Sequence, residues 1–166
     1  MPGAMDLTIL RLLQENARIT NAEIARRVGI AASAVSQRVR KLEQQRIIIG
    51  YHASVCPDTL EQGLLAFITV RTAEGAQPGE AAAALAAIPQ VLELHRVVGD
   101  DCFLLKVRAR DTESLGALIE DRIHTLPQVS ATRTTIVLRT EKDAPGPVLS
   151  RTGSEGSSVA EGSVAS

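Results

Sequence analysis

An α+β chain is predicted, with helices gathered at the start and strands alternating with helices after them. Two observations predict it. Apolar residues recur at helical three- and four-residue spacings through the first fifty positions, then in four short strand-like runs separated by two more helical stretches. Both of those stretches also end alike, in Ile88-Pro89-Gln90-Val91 and Leu126-Pro127-Gln128-Val129, with Pro89 and Pro127 38 residues apart. Each Pro stops a helix, and the Val two residues on starts a returning strand. A doubled strand–helix–strand of this kind is the ferredoxin-like βαββαβ arrangement. The 166 residues are 45% hydrophobic and 22% charged, which supplies a core and excludes wholesale disorder.

Taken in order, Asp6 is placed to cap a first helix that buries Ile9, Leu10 and Leu13. Thr20 and Glu23 make a T-x-x-E capping box before a second helix with Ile24, Ala25 and Val28 inward. Gly29 ends that helix in the left-handed conformation. A third helix over 32–45 follows directly, with Val35, Val39 and Leu42 as its core face. Two helices joined by a short turn with Gly, the second more basic, form the helix-turn-helix pattern, winged or wingless.

Residues 51–63 read as a connecting stretch broken at Pro57. Strands are predicted over 64–71, 91–98, 102–110 and 129–139, with an Ala-rich helix over 79–88 and an amphipathic helix over 112–125. The resulting division is a helix-turn-helix domain at 1–50, a linker at 51–63, a ferredoxin-like sensing and oligomerisation domain at 64–140 and a disordered tail at 141–166, rich in Gly, Ser and Pro. Two helices cover one face of such a sheet. The first strand looks apolar on both sides, so the bare face calls for a partner, most simply a second copy of the chain.

Charge separates the halves. The first fifty residues hold eight Lys/Arg against four acids, whereas residues 51–140 hold eight against eleven, so a net charge of −1 conceals a basic head on an acidic body. The head suits a polyanion. No apolar run approaches the ~20 residues of a membrane span. The opening residues lack a basic region followed by an apolar one, so no secretory signal is expected. The two cysteines, Cys56 and Cys102, form no CxxC and fit a reducing compartment, the cytoplasm. His52, His95 and His124 are too scattered for a metal module. Ser33, Ser36 and the Asp100-Asp101 pair stand in no nucleophile elbow, phosphate loop or base–nucleophile spacing, so no catalytic residue, enzyme activity, metal or cofactor is expected.

At 100° per residue the third helix turns Ser33, Gln37, Arg40 and Gln44 away from its core face, flanked by Ser36 and Lys41. Such a stripe matches a major groove, with short polar groups for base edges and cations for phosphates. Gln37 is the best base reader, since its amide pairs with adenine N6 and N7. Ser33 and Ser36 are adaptable readers; Arg38, Arg40 and Lys41 suit phosphates, as do Arg26 and Arg27 at the end of the second helix.

Many short stretches, in order, resemble the Lrp/AsnC or feast/famine regulators. They are Asp6-Leu7-Thr8-Ile9-Leu10-Arg11-Leu12-Leu13, then residues 16–25 around Arg18-Ile19-Thr20, then Val28-Gly29-Ile30, then Val35-Ser36-Gln37-Arg38-Val39-Arg40-Lys41-Leu42-Glu43. Residues 48–51 are similar to the family's strand leaving the DNA-binding domain, residues 99–107 to the hairpin of its effector domain, and residues 129–138 to its last strand. The resemblance spans about residues 6–140. It implies operator DNA as partner, self-association as a dimer, tetramer or octamer, and a free amino acid as effector near the turn Gly99-Asp100-Asp101. There the carboxylates of Asp100 and Asp101 would take the ligand ammonium and the amides near Gly99 its carboxylate, with His95 and Thr135 as weaker candidates. The chain departs from the family in having Ala31-Ala32 where Ser-Pro is usual and Arg46 where Gly is usual. The competing expectation is a metabolite-sensing assembly protein whose helical domain does not bind DNA.

Overall fold

The structure is a computed structural model and describes residues 1–99, 102–143, 146, 147 and 149. The described residues fall into two compact units, residues 1–53 and residues 54–142, and the tail expected over 141–166 lies for the most part outside the described residues.

In the first unit, helices α1 (Ala4–Glu15), α2 (Asn21–Val28) and α3 (Ala32–Gln44) pack around Ile9, Ile24, Ala25 and Val35. Helix α1 starts earlier than expected. Its cap is Gly3, and Asp6, one turn in, accepts the Gly3 amide on Oδ2 at 3.3 Å while its Oδ1 takes Arg38 at 2.8 Å. At α2 only half of the expected capping box is made. Thr20 Oγ1 accepts the Glu23 amide at 3.2 Å, but the Glu23 carboxylate goes to Arg26 and Arg27, because two guanidiniums one turn on outcompete a backbone amide for a carboxylate. Gly29, at φ 75°, ends α2 as anticipated.

The end of α3 is left-handed as well, without a glycine. Arg46 sits at φ 56°. The Ile47 amide donates to the Leu42 carbonyl and the Arg46 amide to the Glu43 carbonyl, both at 2.9 Å, which is the Schellman pattern. A Cβ in this region costs roughly 1–2 kcal/mol. The following residues 48–51 are not the strand expected for them; among the described residues no strand pairs with them, and an isolated strand leaves its backbone groups unpaired. Tyr51 instead folds back to α3, its hydroxyl donating to Glu43 Oε1 at 2.9 Å.

The second unit is a four-stranded antiparallel sheet in the order β2-β3-β1-β4, with β1 Leu64–Thr72, β2 Val91–Arg96, β3 Phe103–Ala109 and β4 Val129–Ile136. Helices α4 (Pro78–Ala86) and α5 (Thr112–Leu118) join β1 to β2 and β3 to β4. With order and connections together this is the ferredoxin-like fold. Ala66, Ile68 and Val70 of β1 and Phe103, Leu105 and Val107 of β3 meet Ala81, Leu85, Leu115, Leu118 and Ile123 in one core. The repeated words make the same turn twice: the Val91 amide donates to the Ile88 carbonyl and the Val129 amide to the Leu126 carbonyl, each at 3.0 Å. Helix α5 is shorter than predicted and widens into a π-helical turn, Ile119–Ile123, with the His124 amide reaching back five residues to the Ile119 carbonyl. Strands β2 and β4 also stop short of 98 and 139. Val97 already belongs to the hairpin turn through its bond to the Cys102 carbonyl, and β4 outruns the start of β1 after the Val137 amide bonds Leu65.

The uncovered sheet face is less apolar than the sequence suggests. Leu65, Phe67 and Leu104 form its apolar part, but the cross-strand registers add Thr69, Lys106, Arg108, Glu93, Arg133 and Thr135. Lys106 and Glu93 pair across it at 2.8 Å. No described helix is long and apolar enough to cross a membrane.

Candidate nucleic-acid interface and effector turn

Helix α3 is held from beneath by Val35 and Leu42, at 0% and 2% exposure. Helical geometry then turns the opposite face outward, and Ser33, Ser36, Gln37, Arg40, Lys41 and Gln44 are all exposed. No side chain caps the start of α3 at Ala31, so its first amides point to solvent from a small-residue end. Such an end admits close approach to a phosphate.

The structure divides the candidate cations in a way that spacing did not reveal. Arg26 donates through Nε and Nη2 to Glu23 at 2.9 and 2.7 Å, and Arg27 Nε donates to Glu23 Oε1 at 2.8 Å. Those hydrogen bonds, Arg26 first, hold the Glu23 carboxyl down at about 2 and raise the Arg26 guanidinium. Arg38 Nη1 lies 2.8 Å from Asp6 Oδ1 and ties α3 to α1. Among the described residues Arg40, Lys41 and Arg46 make no ion pair, and all three are exposed. Arg46 was not singled out as a contact by periodicity, because it lies beyond the helix. Its only sequence signal is a cation where a helix end favours glycine.

The Glu43 carboxylate is occupied by Tyr51. Partial burial and that carboxylate raise the Tyr51 phenol to about 12, so the bond persists throughout the neutral range.

In the second unit Gly99 adopts φ 129°, a conformation that disfavours side chains, and among the described residues nothing lies within 4 Å of where a Cβ would stand. The bond from the Val97 amide to the Cys102 carbonyl, 3.1 Å, closes the turn it belongs to. Asp100 and Asp101, the two carboxylates expected beside it, lie outside the described residues. Of the weaker candidates, His95 sits 3.2 Å from Glu93 Oε2, and Thr135 lies opposite Phe67 on the uncovered sheet face. Among the described residues no three His, Cys, Asp or Glu side chains are grouped to hold a metal ion.

Comparison with known proteins bears on both units. The profile of the winged helix-turn-helix DNA-binding domain matches residues 4–49, and that of the Lrp/AsnC ligand binding domain matches residues 65–147. The leucine-responsive regulatory protein of Haemophilus influenzae is 34% identical over 142 residues, covering 84% of this chain and 85% of its own length. A transcriptional regulator of Neisseria meningitidis, solved in complex with L-methionine, superposes with a TM-score of 0.83 at 29% identity, over 87% of this chain and 94% of that one. A feast or famine regulatory protein of Mycobacterium tuberculosis, also complexed with L-methionine, gives 0.76 at 34% identity, over 85% and 97%.

Proposed function

Because the chain belongs to the Lrp/AsnC family of helix-turn-helix transcriptional regulators, we propose that it reads operator DNA with α3 and tunes that binding to a free amino acid. The observation that carries the reading is the exposed stripe Ser33, Ser36, Gln37, Arg40 and Lys41 over a buried Val35 and Leu42. Gln37 pairs with a base edge, Ser33 and Ser36 adapt to their neighbours, and Arg40 and Lys41 hold phosphates. Arg46 joins them as a third phosphate contact. Arg26, Arg27 and Arg38 are held by Glu23 and Asp6, which makes their share smaller. Regulation of transcription places the protein in the cytoplasm and calls for no catalysis.

The effector is an amino acid held at Gly99, Asp100 and Asp101. Two adjacent carboxylates are favourable together only when solvated or joined by a cation, and an α-ammonium is such a cation. Self-association through the uncovered sheet face brings two recognition helices to successive major grooves, about one helical turn of DNA apart. A ligand that favours one assembly over another then changes operator affinity by its differential affinity for the two.

Footprinting on the DNA upstream of its own gene, with variants and with a panel of amino acids, tests the reading. Gln37→Ala should relax discrimination at one base position by ~1–3 kcal/mol, and Arg40→Ala should weaken all sequences alike and lower the salt slope by about one. Asp101→Asn should blunt the amino-acid response and spare ligand-free binding. Unchanged affinity in both α3 variants would support the alternative of an assembly protein without a DNA role.

A further inference from the structure

The end of the sheet remote from Gly99 carries a concave surface. There a cleft of about 410 Å³ opens between the chain entering β1, the turn after α4 and the junction of β3 with α5. Its apolar wall is Leu60, Leu92 and Leu118, and its polar wall is Arg108, Arg110 and Glu61. Leu60 and Leu92 are 56% and 51% exposed. Large aliphatic groups left in water beside a concave surface gain by being covered.

Arg108 gives the cleft its chemistry. It is half-buried on β3, and its Nη1 donates to the Gln62 carbonyl at 3.1 Å. Among the described residues it makes no ion pair, although Glu61 lines the same cleft. A neutral carbonyl fixes the guanidinium in place but leaves its charge uncompensated, and a planar fork in that state matches an incoming carboxylate. The neighbouring Arg110 differs, since its Nε is already engaged with Asp111 Oδ2 at 2.9 Å. The cleft thus offers, among the described residues, one anchored cation without an ion pair beside an aliphatic wall.

We propose that this cleft binds a small aliphatic carboxylate, with its carboxylate on Arg108 and its chain against Leu60 and Leu92. The bound group sits about 20 Å from the Gly99 turn along β3, at ~3.3 Å per residue, so it is a separate site. An amino acid and an amine-free acid share this chemistry. Glu61, on the same rim, is the group that would favour the amino acid.

Calorimetric titration of the DNA-free full chain with 4-methylpentanoate isolates the cleft, because the effector turn requires an ammonium group and this acid has none. The expected result is saturable binding, lost with 3-methylbutylamine, which has the chain but no carboxylate. L-Leucine in a parallel arm separates the two sources: tighter binding than the amine-free acid, reversed by Glu61→Gln, marks the zwitterion as the preferred occupant. Arg108→Gln should weaken 4-methylpentanoate about tenfold or more. Leu60→Asp, a change at an exposed position, should do the same by placing a like charge on the wall. Failure of 4-methylpentanoate to bind, or equal binding to the Arg108→Gln and Leu60→Asp variants, overturns the proposal and leaves the effector turn untouched. A shift of the native oligomer by Leu60→Asp without any ligand heat also overturns it, in favour of a contact between chains.

Discussion

The helical unit rests its three helices on Ile9, Ile24, Ala25 and Val35, with a ring of half-buried residues around them. The sheet unit rests on thirteen buried residues spread over all its layers except β2 and β4, which pack from the edges. The smaller core has to position a surface made almost wholly of polar and cationic side chains. It spends favourable local chemistry on function: α3 lacks a side-chain cap, and a left-handed arginine ends it. The larger core keeps its strain to turns. In the helical unit the candidate binding surface lies directly over the core that supports it, and the ends of its recognition helix give up local stability.

The strongest way to break this contrast is to damage each core equally. Ile24→Ala and Ile68→Ala each remove a side chain of 0% exposure, at a cost of about 2–5 kcal/mol. A unit of some fifty residues has only roughly 3–8 kcal/mol in hand. Ile24→Ala is therefore expected to melt the helices and abolish DNA binding while the sheet remains, and Ile68→Ala to lower the melting temperature without unfolding either. A single concerted loss of both circular dichroism signals in Ile24→Ala would show that the units do not fold separately.

Charge sharpens the contrast next. Glu23 neutralises Arg26 and Arg27. Glu23→Gln should free both for phosphate, so non-specific affinity at low salt rises and the salt slope steepens by up to about two. A slope equal to that of the wild type would mean that these arginines already exchange Glu23 for DNA.

Arg46→Gly should separate stability from binding. Relief of the left-handed Cβ, less the entropy of a glycine in the unfolded chain, leaves a gain of about 0.5–1 kcal/mol. The same change removes one cation, so DNA affinity should fall as thermal stability rises. If both move together, Arg46 contacts no phosphate.

The smallest effect compares one surface carboxylate from each unit. Glu23 is held at about 2 by Arg26 and Arg27, and Asp111 at about 2 by the Ser114 amide and then by Arg110. Both values are depressed, so each contributes stability above the ordinary carboxylate range and loses it as pH falls through about 2. Denaturation between pH 5 and 2 should flatten slightly in Glu23→Gln for the helical signal and in Asp111→Asn for the sheet signal. A change in the opposite unit's transition would contradict the assignment.

Much of this was legible because the responsible forces are local. Hydrophobic spacing placed the three helices and four strands, Gly29 announced a left-handed end that the structure has, and the twin Pro-Gln-Val words foretold twin turns with identical hydrogen bonds. The outward stripe of α3 followed from Val35 and Leu42 alone, since burying one face of a helix exposes the other. Misreadings arose where a residue had two possible partners. Asp6 shares its carboxylate between the Gly3 amide at the helix start and Arg38, whereas Glu23, expected to close a capping box, gives its carboxylate to arginines of the next turn.

The sequence by itself determined the class of the fold, the order of its elements and the face that α3 presents, because each depends on spacing along a single segment. Only the tertiary structure decided which cations make no ion pair among the described residues, how polar the uncovered sheet face is, and that Arg108 comes to lie beside Leu60 and Leu92. Those outcomes depend on which side chains from distant segments arrive at the same place. Electrostatic pairing is settled there within a few ångströms, a distance that spacing along the chain does not encode.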